Sequence, residues 1–156
     1  MLSLTIPGRG EVNLSNIILD LNGTLTVDGQ IAANTVSLLN RVSEQLQVYV
    51  LTADTLGSAA KLKEELQADI RLFAGENISA AKAVFLEQLG AESTMAVGNG
   101  DNDAAMLKKA AIGIALLGPE GCSIKALQNA DLLVKDIDDA LMLVLRTQRL
   151  IADLRD

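Results

Sequence analysis

Short apolar runs alternate with segments of helical periodicity along almost the whole chain. Runs such as 17–21 and 94–97 are too short for helices and are apolar at nearly every position, which is typical of strands buried on both faces. Between such runs the apolar residues follow helical spacing, as at Val36, Leu39 and Val42. This alternation predicts an α/β fold, a Rossmann-like doubly wound parallel sheet with helices on both faces.

Turn residues and periodicity give the boundaries of the predicted elements. A Pro-Gly-Arg-Gly turn at 7–10 joins strands 2–6 and 11–14 in an N-terminal β-hairpin, and Asp28-Gly29 predicts a second hairpin turn. Further strands are predicted at 17–21, 48–51, 70–73, 94–97, 112–116 and 132–134, and helices at 33–47, 56–67, 79–89, 104–109, 121–129 and 136–154.

Absences in the composition exclude several kinds of site. The chain has no histidine, which rules out His-based triads and His-ligated metals, and its single Cys122 rules out an internal disulfide or a Cys₄ zinc site. Only three aromatic residues and a net charge of −7 disfavour nucleic acid and anionic membranes as partners. With 156 residues and neither a signal peptide nor a membrane span in view, we expect one soluble cytoplasmic domain, 1–156.

Polar residues follow the predicted strands, at the sheet edge where doubly wound folds bind ligands. Asp20 ends the strand at 17–21; its carboxylate can attack phosphorus to form an aspartyl-phosphate, or it can simply start an Asx-turn. Gly23 would let backbone N–H groups approach phosphoryl oxygens. Thr52 ends the next strand, where its hydroxyl can donate to a phosphoryl oxygen or cap the following helix, a role for which Asp54 competes.

Two further segments are candidates for binding an anion and a cation. Lys82 lies near the start of a predicted helix, where the macrodipole is positive, so an anionic partner would explain it; otherwise it is a solvated surface lysine. The segment 98–103, Gly-Asn-Gly-Asp-Asn-Asp, lies between a strand and a helix. Its oxygen-bearing side chains suit a hard cation, although the same composition suits a tight turn with an N-cap.

These segments occur in the order of the motifs of the haloacid dehalogenase superfamily, which the chain resembles over roughly 17–134. Within it, the chain is similar to the phosphorylation domain of P-type ATPases and its soluble single-domain relatives. The run 20–26, Asp-Leu-Asn-Gly-Thr-Leu-Thr, resembles the first motif, whose first Asp is the nucleophile. Thr52 and Lys82 match the second and third motifs, and 97–107 resembles the fourth.

The resemblance implies a role for each matching residue. The implied catalytic residues are Asp20, Asn22, Thr52 and Lys82, and the implied phosphate-binding residues are Gly23, Thr52, Ala53 and Lys82. The implied cofactor is Mg²⁺, and its implied ligands are Asp20, the backbone carbonyl of Asn22, Asn99 and Asp103. A phosphorylated small molecule or macromolecule is the implied substrate.

Two positions depart from the family pattern. Phosphatases of the superfamily carry a general acid/base Asp where this chain has Asn22, and an amide cannot shuttle a proton. P-type ATPases also lack a carboxylate there, and their aspartyl-phosphate persists. The usual first Asp of the fourth motif is Asn99, so Asp103, together with Asp101, would have to supply more of the charge for Mg²⁺. Both changes predict slow turnover or an altered role.

The spacing of the motifs leaves no room for a cap domain, and capless relatives cover their sites with a neighbouring subunit or accept large substrates. The C-terminal segment 136–154 carries more apolar residues than one sheet face needs, so we expect a homo-oligomer; the alternative is that this helix only covers its own sheet. The chain also lacks the membrane helices and nucleotide-binding insert that ion pumping requires.

Three functions are consistent with these residues. The first is a capless Mg²⁺-dependent phosphatase. The second is a catalytically impaired regulatory domain that binds Mg²⁺ and phosphate in the same pocket, which Asn22 and Asn99 favour. The third is a receiver-like phospho-acceptor, which the loop at 98–103 fits poorly.

Overall fold

The computed structural model describes residues 1–53 and 58–156, the side chains of 58–61 excepted. Asp54 and the first two residues of the predicted helix 56–67 lie outside the described residues. The strands are β1 Leu2–Ile6, β2 Gly10–Leu14, β3 Asn16–Asp20, β4 Gln47–Thr52, β5 Asp69–Leu72, β6 Thr94–Gly98, β7 Ile112–Leu116 and β8 Leu132–Val134. The helices are α1 Ala33–Ser43, α2 Ser58–Glu65, α3 Ile78–Leu89, α4 Ala104–Lys109, α5 Ile124–Gln128, α6 Ile137–Leu145 and α7 Thr147–Leu154.

Six of the strands form one sheet in the order β5-β4-β3-β6-β7-β8, and every neighbouring pair is parallel. Numbered among themselves, these strands have the order 3-2-1-4-5-6 of a doubly wound sheet. The order reverses between β3 and β6, so the loops that follow these two strands diverge and leave a crevice at the carboxyl edge of the sheet. The predicted parallel sheet is confirmed.

Side chains of the sheet alternate between two cores, one on each face. Ile17 and Leu19 of β3 pack in the larger core, to which α1, α6 and α7 contribute. Ile18 packs in the smaller core, to which α3, α4 and α5 contribute. Asp20 has the parity of Ile18 and therefore faces the side covered by α3, the helix that carries Lys82. The predicted helices on both faces are confirmed.

The N-terminal hairpin is present as predicted, with β1 and β2 antiparallel. The second predicted hairpin is smaller, because a single bridge joins Val27 to Gln30 in place of two strands. Asp28 and Gly29 at its tip both have positive φ, 51° and 74°, as the expected two-residue turn requires. This turn follows the loop after β3.

The predicted single helix over 136–154 is wrong, because the segment forms two helices, α6 and α7. Arg146 between them has φ −131° and ψ 67°, outside the helical region. The break lets α7 change direction, so that Leu150 and Leu154 are buried against the N-terminal hairpin while α6 packs on α1. Apolar periodicity continues across the break, which is why the sequence suggests one helix.

Two other helices are shorter than predicted. The helix predicted over 33–47 ends at Ser43, and Leu46 is buried from the turn that follows. α5 begins at Ile124 instead of residue 121, after Ser123, whose Oγ accepts a hydrogen bond from the Ala126 N–H. Among the described residues, no helix is long and apolar enough to cross a membrane.

Candidate active site

The reversal of strand order brings most of the predicted site residues to one crevice. Asp20 is the last residue of β3, and the segment 98–103 begins at the last residue of β6, the strand paired with β3 on its other side. Thr52 ends β4 one residue beyond Leu51, which is paired with Asp20. Sequence and topology therefore place the first, second and fourth motifs on three adjacent strand ends.

Lys82 is a buried cation that joins two of these segments. Its side chain is 1% exposed, and its Nζ lies 2.6 Å from Asp20 Oδ1 and 2.7 Å from Asp103 Oδ1. A third oxygen, Asn102 Oδ1, lies 3.4 Å from the same nitrogen. An ammonium group has three hydrogens to donate, and three oxygens surround it. Anionic neighbours therefore account for this lysine, and the surface-lysine interpretation is wrong.

Asp103 is held by the backbone of its own loop. Its Oδ2 accepts hydrogen bonds from the N–H groups of Asn99 and Gly100, at 3.1 and 3.0 Å, so its two carboxylate oxygens have different partners. The carboxylate packs directly against Gly98, where an added Cβ would lie 2.5 Å from its Cγ. Gly98 is therefore required for this close approach, and Asp103 is fully buried.

The surroundings of Asp20 make it easier to protonate than an ordinary aspartate, although it is still ionised at neutral pH. Burial raises the pKa of Asp20 to about 6, and the nearby Asp103 carboxylate adds to the rise, while Lys82 opposes both. Burial alone would lower the pKa of Lys82, but the two carboxylates outweigh it and raise that pKa. The lysine stays charged at neutral pH, so the cluster contains one cation and two carboxylates.

The loop after Asp20 is wound tightly enough to require a glycine. Gly23 has φ 77°, and an added Cβ there would lie 2.6 Å from Asn99 Nδ2. Its N–H donates to the Thr26 carbonyl, so Gly23 provides space in the loop and its own N–H is engaged. The Asn22 N–H has no backbone partner in the described part of the chain, and the Asn22 side chain is exposed.

Asn99 is engaged by neighbouring loops. Its Oδ1 accepts a hydrogen bond from Thr24 Oγ1 at 3.1 Å, and its Nδ2 donates to the Gly121 carbonyl at 3.2 Å. Its backbone carbonyl also accepts the Ser123 N–H. The amide thus links the loops after β3, β6 and β7, an arrangement that uses both its oxygen and its nitrogen.

The remaining predicted residues are at or near the same edge. Thr52 is 1% exposed, and Ala53 is exposed directly after it. Asp101 points outward: its side chain is 67% exposed, and its nearest cation is Lys125 at 3.8 Å. Burial, and after it the nearby Asp103 carboxylate, raises the pKa of the Cys122 thiol.

Sequence reasoning assigned no role to Asn102 or Thr24, which the structure adds to the site. Asn102 contacts Lys82, and Thr24 holds Asn99. Both lie inside the matched motifs, so their position is the signal that could have drawn attention to them. Their partners are set by loop geometry, which neither hydrophobic period nor spacing encodes.

The oxygens at this edge suit a hard divalent cation. Mg²⁺ is typically bound through one or two carboxylates and keeps several waters, so it needs no large cage of side chains. Asp20 and Asp103 already direct one oxygen each at the same cation, Lys82 Nζ. The described residues contain no cluster of three or more His, Cys, Asp or Glu side chains that could hold a metal, so a third ligand from among them would be a neutral oxygen.

Comparison with known proteins gives two relatives in Methanocaldococcus jannaschii, and the shorter match, to the uncharacterized protein MJ0072, is 44% identical over 39 residues, 25% of this chain and 89% of that protein. The uncharacterized protein MJ0073 of Methanocaldococcus jannaschii is 41% identical over 95 residues, which are 58% of this chain and 100% of that protein. No family model matches the chain.

Several solved structures share the fold. The 3-deoxy-D-manno-octulosonate 8-phosphate phosphatase of Moraxella catarrhalis, in complex with magnesium, phosphate and KDO, is 17% identical with a TM-score of 0.69, over 89% of this chain and 90% of that one. An HAD-superfamily hydrolase (subfamily III A) of Legionella pneumophila is 16% identical with a TM-score of 0.68, over 90% and 87%.

A P-type ATPase is also among the similar structures. A zinc-transporting PIB-type ATPase is 25% identical with a TM-score of 0.62; the match covers 79% of this chain but only 20% of that one. The fold, the order of the four motifs and the lack of an inserted cap domain among the described residues agree with these likenesses. The chain belongs to one family with MJ0073, and it shares the fold of haloacid dehalogenase hydrolases and of part of a P-type ATPase.

Proposed function

We propose that the chain is a Mg²⁺-dependent phosphohydrolase that forms an aspartyl-phosphate on Asp20. The observation that carries the proposal is the buried ammonium of Lys82, which is 2.6 Å from Asp20 and 2.7 Å from Asp103. A lysine that is 1% exposed between two carboxylates is costly to retain for stability alone. Perturbed and buried charges of this kind are typical of catalytic sites.

The proposed reaction begins with the Asp20 carboxylate as nucleophile. A carboxylate oxygen attacks phosphorus, the bond from phosphorus to the leaving oxygen breaks, and an acyl phosphate forms on Asp20. Water then attacks the phosphorus of the acyl phosphate and releases inorganic phosphate and free Asp20. Lys82 stabilises the negative charge that the phosphoryl group brings into the crevice. Thr52, buried at the end of β4, and Ala53, exposed directly after it, are the other proposed phosphate-binding residues.

The proposed metal ligands are Asp20, Asp103, the Asn22 carbonyl and Asn99. When bound, Mg²⁺ would offset the negative charge of the phosphoryl group beside two carboxylates. The M. catarrhalis phosphatase contains magnesium and phosphate, and the corresponding phosphatase of Haemophilus influenzae was solved in a cobalt-bound form. These neighbours and the hard oxygen set support a divalent cation, and the preference of Mg²⁺ for few carboxylates supports Mg²⁺.

Slow dephosphorylation is part of the proposal. Asn22 follows the nucleophile by two residues on an exposed loop, and its amide cannot take a proton from the attacking water. General acid–base help contributes roughly 10²–10⁴-fold to such steps. The aspartyl-phosphate of this chain should therefore form faster than it is hydrolysed.

We assign the substrate to phosphorylated small molecules or exposed phosphate groups on macromolecules, and the location to the cytoplasm. The open crevice supports this breadth, since Asn22 and Ala53 at its rim are exposed. A homo-oligomer is also proposed. Val27 at the projecting turn and Leu117 after β7 are 40% and 53% exposed near the carboxyl edge, where a neighbouring subunit could cover them.

A second candidate function is that of a regulatory domain that binds phosphate and Mg²⁺ without turnover. The hydrogen bonds of Asn99 to Thr24 and Gly121 favour it, because they occupy the amide that would otherwise bind the metal. A phosphatase assay with an aryl phosphate, with and without Mg²⁺, separates the two. Turnover that requires Mg²⁺ and disappears in Asp20→Asn supports the enzyme. Binding of phosphate without turnover or phosphoenzyme supports the regulatory domain.

A further inference from the structure

A cleft of about 550 Å³ lies where the end of α1 meets the junction of α6 and α7. Three of its described lining residues are arginines, Arg41, Arg146 and Arg149, and none is acidic. The chain has six arginines and a net charge of −7. Half of the guanidinium groups of an acidic protein therefore line one cleft, and the charged residues of its described lining are all cationic.

These three arginines have no ion pair and no side-chain hydrogen bond within the described residues. Other arginines of the chain are paired: Arg9 contacts Asp131 at 2.9 Å, and Arg71 contacts Asp69 at 2.6 Å. Acidic partners are thus available to arginines elsewhere on this surface. The guanidinium groups of the cleft remain able to bind an external anion.

A helix dipole explains one of the three positions. Arg41 lies in the last turn of α1, where a cation is favourable. Arg146 is at once the C-cap of α6 and the N-cap of α7, so the two dipoles oppose each other there. Arg149 is the third residue of α7, where a positive charge faces the positive end of the dipole. An anion in the cleft would remove that conflict, just as two carboxylates account for Lys82 near the start of α3.

The cleft also offers neutral donors and an apolar wall. α7 has no side-chain N-cap, so the N–H groups of Thr147 and Gln148, which line the cleft, lack the partners that a cap would provide. Met142 and Leu145 are half-buried in the same lining. Apolar surroundings lower the local dielectric and strengthen the attraction between a guanidinium and an anion.

The cleft is remote from the candidate active site. α1 ends just before β4, whose first residue, Gln47, is paired with Asn16 at the start of β3. Asp20 is at the other end of β3, about 13 Å away at the usual rise per residue. The two sites therefore lie at opposite edges of the sheet.

We propose that this cleft binds a small molecule that carries two or more phosphate groups. Three arginine side chains match the charge of a diphosphate, and each planar guanidinium can hold two phosphate oxygens at once. A volume of about 550 Å³ is within the range of small-molecule sites and leaves room for a group beyond the phosphates. The proposal does not depend on the reaction assigned to Asp20.

Calorimetric titration with inorganic pyrophosphate, in EDTA to keep the protein metal-free, tests this site. The wild-type protein should bind pyrophosphate, and Arg146→Gln and Arg149→Gln should each weaken the affinity about tenfold or more, as expected for the loss of a charge-assisted hydrogen bond. The matched control is Arg155→Gln, which removes an exposed arginine outside the cleft and should leave the affinity unchanged. Circular dichroism confirms that each variant is folded.

Amide NMR shifts locate the bound pyrophosphate. The proposal predicts shifts at 41 and 142–149, with none at 20–24 or 98–103. It is overturned if millimolar pyrophosphate does not bind, if the shifts map to the loops after β3 and β6, or if Arg155→Gln weakens binding as much as the cleft variants do. Any of these results would mean that the three arginines only stabilise helix ends or add positive charge to the surface.

Discussion

Replacing Asp20 with asparagine should stabilise the metal-free protein at neutral pH. Asp20 is 8% exposed, and its pKa rises from an ordinary 3.8 to about 6, first through burial and then through Asp103. At 1.36 kcal/mol per pKa unit, this rise corresponds to about 3 kcal/mol by which ionised Asp20 destabilises the folded state. Asp20→Asn keeps the size of the side chain and removes that charge.

The stabilisation should depend on pH with a definite sign. Because the folded-state pKa of this carboxyl is raised, the folded protein holds the proton more tightly than the unfolded chain does. The wild-type contribution is therefore most favourable below about pH 4 and is lost as the pH rises towards 6. The difference in free energy of unfolding, Asp20→Asn minus wild type, should be near zero at pH 4 and should reach a plateau of about 3 kcal/mol above pH 6.

Urea unfolding in EDTA at a series of pH values measures this difference. Asp101→Asn is the matched control, because that side chain is 67% exposed and should give a flat difference. The reasoning fails if Asp20→Asn is destabilising at pH 7, or if the difference does not change between pH 4 and pH 6. Either result would mean that Lys82 compensates fully for the burial of the carboxylate.

Three further predictions concern the same site, and a fourth concerns the proposed subunit contact. Lys82→Met leaves two buried carboxylates without their cation. It should lower the free energy of unfolding at pH 7, measured by urea denaturation, by roughly 3–5 kcal/mol. A loss below about 1 kcal/mol would contradict the account of a buried charge cluster. Asn22→Asp should raise steady-state turnover by up to about 10²–10⁴-fold and reduce the phosphoenzyme, measured with an aryl phosphate; unchanged turnover would place the slow step elsewhere. Asn99→Asp should tighten Mg²⁺ in calorimetry by adding charge, although it loses the hydrogen bond to Gly121; equal affinity would place Asn99 outside the coordination shell. Light scattering at micromolar concentration should show an oligomer, and a monomer would refute the proposed subunit contact.

The residues that sequence could assign are those fixed by a pattern. Asp20 lies at the end of an apolar strand, and the alternation of side chains along that strand directs it towards α3. Its contact with Lys82 therefore follows from the strand period, the helix period and the order of the strands. Gly23 was singled out by its place after Asp20, but the structure uses it to leave space beside Asn99, and its own N–H donates to Thr26. These features are local or are repeated along the sheet.

The features that sequence could not assign depend on long-range loop contacts. Thr24 meets Asn99 across 75 positions, and no period or spacing relates the two. The break at Arg146 is likewise set by where α7 must pack, since no proline or glycine lies there. The outward orientation of Asp101 could not be predicted for the same reason. The four Asn and Asp residues of this loop are chemically alike, and only the path of the turn decides which of them point inward.

The central claim, that Asp20 accepts a phosphoryl group, is tested most directly by mass spectrometry after incubation with acetyl phosphate and Mg²⁺. The account predicts that the intact protein gains the mass of one phosphoryl group, that peptide mapping assigns it to Asp20, and that Asp20→Asn abolishes it while Asp101→Asn does not. Wild-type protein that stays unmodified with acetyl phosphate and with other phosphodonors, or a modification that persists in Asp20→Asn, would contradict the account.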